Sequence, residues 1–248
     1  MAEPWFSKDE LDELSRPTMD RAIEAIERGE LEQAKTLCEE MKHEWRLLHD
    51  IMVDGIAGLI SFIQERMGDD GVEDAWTWSL ERGWKPHVEA IARQDRKQMV
   101  RALAANWRAH SCSGTGPAPG AFTISEDDEK FTFAMNPCGS GQRLVRLGRY
   151  EGPNGYRVTE RAHDWSYERE GFPLYCTHCS FMNEILPIRW IGYPVYPSDP
   201  PDDFDRDPCV WYWYKDPATI PERHWARYGT APGGSETGHA QRKAGNEG

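Results

Sequence analysis

The chain has 248 residues, 39% hydrophobic and 29% charged, with a formal net charge of -13. That is enough material for one large or two small cored domains, and the acidic surplus excludes nucleic acid as the main partner. No uninterrupted apolar run reaches the roughly 18 residues of a membrane-spanning helix. The longest candidate, 51–63, is broken by Asp54, Gly55 and Gly58. Met1-Ala2-Glu3-Pro4-Trp5 lacks the basic and apolar segments of a secretory signal. The expectation is a cytoplasmic protein with no membrane and no nucleic-acid partner. It would take a small molecule as substrate or ligand, and homo-oligomer formation is compatible with the composition.

Residues 8–110 read as helices. Ser7-Lys8-Asp9-Glu10 has the form of a capping box. Pro17 restarts the pattern, and Met19, Ala22, Ile23 and Ile26 recur at helical spacing up to Gly29. Leu31, Ala34, Leu37, Cys38 and Met41 continue the stripe through Trp45, Leu48 and Met52. A more apolar helix runs from Val53 to about Gly68. Shorter ones cover 72–80 and 86–92, and Asp95 caps a last one with Met99, Leu103 and Trp107 on one face.

The texture changes at His110. Gly114, Gly116, Pro117, Pro119 and Gly120 make 111–120 a loop. Residues 121–124 and 130–135 alternate around a polar turn and predict a hairpin with Phe131, Phe133 and Met135 inward. Residues 148–172 read as a polar surface excursion, 185–193 as a strand, and 194–208 as a Pro/Asp loop. Cys209-Val210-Trp211-Tyr212-Trp213-Tyr214 is apolar on both faces, as a central strand is. The Gly/Ser/Glu/Lys-rich tail 231–248 is expected to be disordered.

Five of the six cysteines follow residue 110. Cys176-Thr177-His178-Cys179 is a Cys-x-x-Cys pair, and Cys138 sits in the turn Asn136-Pro137-Cys138-Gly139-Ser140-Gly141. Three soft ligands at one point suit a thiophilic dication, with zinc the default. The fourth ligand decides the class. Cys209 would close the site as a structural centre of four cysteines, whereas His110, His178, Glu184 or water would leave it open to catalysis. The plainer reading is buried thiols in an aromatic core. A redox pair fits less well, because the usual redox Cys-x-x-Cys opens a helix in a βαβ unit.

His110 closes the last helix of the first half. It is either a favourable partner of the helix dipole or a ligand and proton carrier. Cys138 could instead be a nucleophile, with Gly139, Ser140 and Gly141 offering N–H groups to an oxyanion and His110 or His178 as base. The tryptophans of the second half are ordinary core or the wall of an aromatic pocket. In the pocket reading, Trp190 and Trp211 line it and Arg143 meets a carboxylate.

The segment Glu184…Ile188…Gly192-x-Pro194 followed by Cys209-x-Trp211-x-Trp213 resembles the C-terminal end of vinyl-reductase-type ligand-binding domains. It is similar too to aminothiazoline-carboxylate hydrolase-like proteins. The likeness covers residues 174–216, and a long Pro/Asp loop stands where those families have a Gly-Asp turn. It implies N-terminal helices on an antiparallel sheet, binding of small organic molecules and, in some members, zinc held by cysteines.

Together these readings predict an α+β fold. A helical region, 1–110, packs on a mainly antiparallel, β-rich region, 111–230, that holds one Zn2+ through Cys138, Cys176 and Cys179 with His110 or Cys209 fourth. The leading expectation is a zinc-dependent hydrolase or lyase acting on a small organic molecule, with His178, His110 and Glu184 in the chemistry. The alternatives are a small-molecule-binding or sensor module with a structural zinc, and a metal-free thiol enzyme using Cys138.

Overall fold

The computed structural model describes residues 5–111, 121–135 and 137–229, with side chains in the first stretch described to residue 108. The chain divides into two compact units, Met1–Asp50 and Ile51–Gly248. The division thus falls well before the change of texture at His110. The 231–248 tail lies outside the described residues.

The first unit opens with α1 (Lys8–Leu14), and its capping box forms. The Glu10 N–H donates to Ser7 Oγ at 3.3 Å, and the Ser7 N–H donates to Glu10 Oε2 at 2.7 Å. Next come α2 (Thr18–Glu27) and the start of α3 (Leu31–Gly83). Their contact is made by Ala22, Ala25, Ala34 and Leu37. Met19, Ile23 and Ile26, expected in the inward stripe, are about half exposed at 47%, 47% and 54%. The two helices meet through alanines, which leaves the bulkier side chains of the same turns on the flank.

Gly68 breaks the regular path of α3 with φ 70° and ψ -172°, so the expected helix end there is a kink. An 18-residue window of α3 reaches a mean hydropathy of 1.4, long and apolar enough to cross a membrane by length and composition. Asp54 on this helix is held by Arg143 at 2.8 Å, Arg149 at 2.8 Å and the Tyr156 hydroxyl at 2.8 Å.

Beyond α3 lie α4 (Lys85–Ala92) and α5 (Arg96–Ser111). Asp95 caps α5 by accepting the Lys97 and Gln98 N–H groups at 3.0 and 3.1 Å. The hairpin β1 (Phe122–Glu126) and β2 (Lys130–Met135) forms as the alternation predicts. It is followed by α6 (Gly141–Arg146), α7 (His178–Ser180), a π-helical turn at Phe181–Ile185, α8 (Leu186–Ile191), β3 (Ser198–Asp199) and β4 (Cys209–Tyr214). The sheet is antiparallel with order β1-β2-β4-β3, so β4 is interior, as its two-sided apolar pattern requires. Val88 and Ile91 of α4 and Met99 and Leu103 of α5 pack on Phe133, Met135, Trp211 and Trp213. Among the described residues the fold is α+β.

Two expectations are overturned. In the stretch 185–193, expected to be a strand, residues 185–191 are helical. Pro187 sits in the first turn of α8, where a missing N–H costs nothing, and Gly192 ends the helix with φ 84°. A short run buried on most sides has no period that separates strand from helix. The 148–172 segment is not a purely surface excursion either, because Trp165, Ser166 and Phe172 are buried. Its polar residues find partners within it and on α3: Ser166 Oγ donates to the Arg169 carbonyl at 2.7 Å, and His163 Nε2 meets Asp69 Oδ2 of α3 at 2.7 Å.

Candidate functional site: a cavity lined by four thiols

The sheet register brings two distant cysteines together. Met135, the last residue of β2, pairs with Cys209, the first of β4. Cys138 lies three residues beyond Met135, so its turn closes the same end of the sheet. Cys176 and Cys179 come from a third segment, a 3-10 turn at Leu174–Thr177 running into α7. Spacing of three residues in such a turn points both side chains the same way. The buried residue between them, Thr177, fixes that turn. Its hydroxyl accepts the Trp76 indole N–H at 3.0 Å and donates to the Leu174 carbonyl at 2.7 Å.

Cys138, Cys176, Cys179 and Cys209 line one cavity of about 60 Å³, together with His178, Trp211 and Tyr167. Among the described residues, no group of three or more His, Cys, Asp or Glu side chains is already gathered as a metal-holding cluster. The thiols share a cavity without being clenched about its centre.

Each thiol has its own surroundings. The Cys138 sulfur accepts the Ser140 N–H at 3.4 Å, with further backbone N–H groups from Gly141 and Gln142. Burial still raises its pKa above the ordinary thiol range. Burial raises Cys176, Cys179 and Cys209 further, and Cys138 adds to the rise at each of them. The raised values favour the neutral, protonated thiol at all four positions. Gly141 is where Cys176 fits, since a Cβ there would stand 2.3 Å from the Cys176 sulfur.

His178 Nδ1 bonds the Tyr175 carbonyl, and its Nε2 stands 3.5 Å from Cys179 Sγ. A carbonyl only accepts, so Nδ1 carries the proton and Nε2 presents its lone pair to Cys179. Burial lowers the His178 pKa, which favours this neutral form.

Glu184 lies behind the cavity wall. It is fully buried in the π-helical turn, a distortion frequent at functional sites. Its Oε1 accepts Ser198 Oγ at 2.8 Å and the Ser198 N–H at 3.2 Å, and Arg227 Nη1 lies 3.4 Å from Oε2. Tyr167 and Ser198, 2.7 Å apart, both line the cavity and connect it to the carboxyl. Burial pushes Glu184 up to about 7, against the opposing pull of Arg227. Tyr167 and Glu168 both adopt left-handed backbone, φ 58°, which costs non-glycine residues about 1–2 kcal/mol. The cost is borne where the Tyr167 hydroxyl is placed.

The structure therefore brings Cys138, Cys176, Cys179, Cys209, His178 and Trp211 to one cavity, with Glu184 one hydrogen bond behind it. Arg143 and Trp190 are not part of that wall. The Arg143 guanidinium is tied to Asp54, and Trp190 packs among the apolar side chains of the helices and sheet. The His110 side chain, Cys112 and Asn136 lie outside the described residues. The sequence reading missed Gln142, Tyr167 and Ser198. It also missed Pro200, Pro201 and Phe204 of the Pro/Asp loop, which line the cavity. No local pattern marks them, because each acts through partners distant in sequence.

Compared with known proteins, the chain matches no family model, no curated protein and no solved structure. The likeness of residues 174–216 to vinyl-reductase-type domains rests on its motif alone.

Proposed function

We propose that this chain is a metal-binding protein whose cavity takes one thiophilic divalent ion, zinc by default. Cys138, Cys176, Cys179 and Cys209 would be the ligands. The observation that carries the reading is that four thiols from three separate segments line one small cavity. The donor set fits the ion: soft sulfurs, with N–H groups at Cys138 to share the charge a thiolate would carry. About 60 Å³ is several times the roughly 10–15 Å³ that one water needs and far below the roughly 300–1,000 Å³ of ordinary small-molecule pockets, so the cavity suits an ion or a small group rather than a drug-sized ligand. The proposal requires the thiols to close on the ion and lose their protons, so binding weakens as pH falls.

With four sulfurs the ion is structural, and the protein is a binding or sensor module. A catalytic zinc acting on a small organic molecule, by hydrolysis or elimination, is the second reading. It is favoured by the His178 Nε2 lone pair, which would hold or move a proton beside Cys179. A metal-free nucleophile at Cys138 is disfavoured by the burial that keeps that thiol protonated.

Metal analysis of the purified full-length protein tests the reading. One zinc per chain is expected, lost in Cys179→Ser and held more weakly in Cys209→Ser. Protein that neither carries nor takes up Zn2+, and whose thiols react with a disulfide reagent as independent groups, would sink it.

A further inference from the structure

Resting on the metal reading above, we infer that Gln142 is a positioning residue: its side-chain amide joins the Cys138 turn to the loop that delivers Cys209, and so sets how the thiols meet an ion. Gln142 is 2% exposed and lines the cavity. Its Oε1 accepts the Cys138 N–H at 2.7 Å. Its Nε2 donates to the Phe204 carbonyl at 2.9 Å and to the Asp207 carbonyl at 2.8 Å. Both amide protons and the amide oxygen are used, and the partners fix which end is which, since a carbonyl cannot donate and an N–H cannot accept.

The two ends of this clamp hold different segments of the cavity lining. Cys138 and Phe204 both line it, and Asp207 stands two residues before Cys209. The backbone of Gln142 adds a third link, because its N–H is one of those facing the Cys138 sulfur. No other side chain does the same here. Glutamate keeps an oxygen for Cys138 but has no donors for two carbonyls, and asparagine is a methylene short. A buried glutamine that merely steadied one turn would not need its amide shared between the Cys138 turn and the loop before Cys209.

The clamp predicts that losing the loop end of Gln142 is equivalent to losing Cys209. The test uses full-length wild type, Gln142→Glu, Cys209→Ser and the double variant, each loaded with Co2+ in place of zinc. The sulfur-to-cobalt charge-transfer absorption counts thiolates, and chelator competition gives affinity. Gln142→Glu is expected to bind about 10- to 100-fold more weakly, the range for residues that orient metal ligands. It should show the reduced charge-transfer intensity of Cys209→Ser. In the double variant the second change should add less than about twofold, because both act on one contact. Gln142→Met, similar in size and without donors or acceptors, answers the same question should the glutamate variant fail to fold. A wild-type spectrum and affinity in both Gln142 variants would overturn the inference, as would losses that multiply in the double variant. A wild type that binds no Co2+ or Zn2+ would overturn the metal reading itself, an outcome visible before any Gln142 variant is made.

Discussion

Residues 5–50 and 51–229 are built by different means. In the first stretch the buried apolar side chains are three alanines and Leu37, while Leu11, Leu14, Ile26 and Leu48 stand 52–69% exposed. Its charged residues form surface pairs such as Arg16–Glu13 and Arg21–Glu13, which contribute little each. In the second stretch Trp165, Trp211, Trp213, Phe133 and Phe181 are almost wholly buried. Burial of that size is what lets a protein carry one buried and three half-buried thiols, a buried carboxyl and left-handed backbone at Tyr167. The thiol cavity lies where the aromatic core can offset it.

The strongest test of that contrast is to cut the aromatic core. Trp213 is 2% exposed, lies on the interior strand β4 and has the Arg96 guanidinium 4.0 Å over its ring. Trp213→Ala should cost about 3–5 kcal/mol in denaturant unfolding. A loss below about 1 kcal/mol would mean that the core is not what holds this unit.

The next effect is a pH dependence that only the second stretch can show. In the unfolded chain Glu184 titrates as an ordinary carboxyl; folded, it holds its proton up to about pH 7. Between those values the folded state binds more protons, so its stability falls as pH rises through the window. Above it the protein carries a buried carboxylate at a cost of about 3 kcal/mol. Glu184→Gln is neutral throughout. Its advantage over wild type should be near zero at about pH 4.5 and reach about 3 kcal/mol by pH 8. His224, driven down to about 4 by burial, has the opposite trend as pH falls, but it is common to both proteins and cancels. Parallel stability curves for the two proteins would mean that the Glu184 carboxyl is not held protonated by burial.

A third test touches the cavity itself. Gly141→Ala would set a methyl 2.3 Å from the Cys176 sulfur. Overpacking of this kind costs about 1–3 kcal/mol and should displace the Cys176 thiol, raising its rate of alkylation relative to wild type. Unchanged stability and unchanged thiol reactivity would mean that the turn has slack that its packing does not suggest.

What is legible in the sequence follows the same division between local and distant causes. Ser7 with Glu10, Asp95 ahead of α5, the β1–β2 alternation and the two-sided apolar β4 all act within a few residues, and the structure forms each of them. The chemistry of the cysteines is legible by residue type. Their sharing of a cavity depends on the Met135–Cys209 register and on Gly141 yielding to Cys176, which no spacing announces. Arg143 reads as a free cation because Asp54, which holds it, is 89 positions away. Residues 185–193 read as a strand because burial on several sides erases the helical period of 185–191. Gln142 carries no signal at all, as its meaning lies in the carbonyls of Phe204 and Asp207.

The smallest expected effect lies in the first stretch and sharpens the contrast from the other side. Helix α1 has seven residues and buries none of them. A helix that short is not stable by propagation alone, so its ends matter more than its middle. Ser7 supplies the acceptor for the Glu10 N–H, and Glu10 returns one to the Ser7 N–H. Ser7→Ala removes the first and leaves the second, at a cost of about 1 kcal/mol. Because no core side chain hangs on α1, that loss should appear as faster amide exchange at residues 8–14, with no shift in the cooperative unfolding of the tryptophan-rich core. A shift of the whole transition would show that α1 is tied into the global fold by more than its cap, and the separation of local from core-derived stability would fail at that helix.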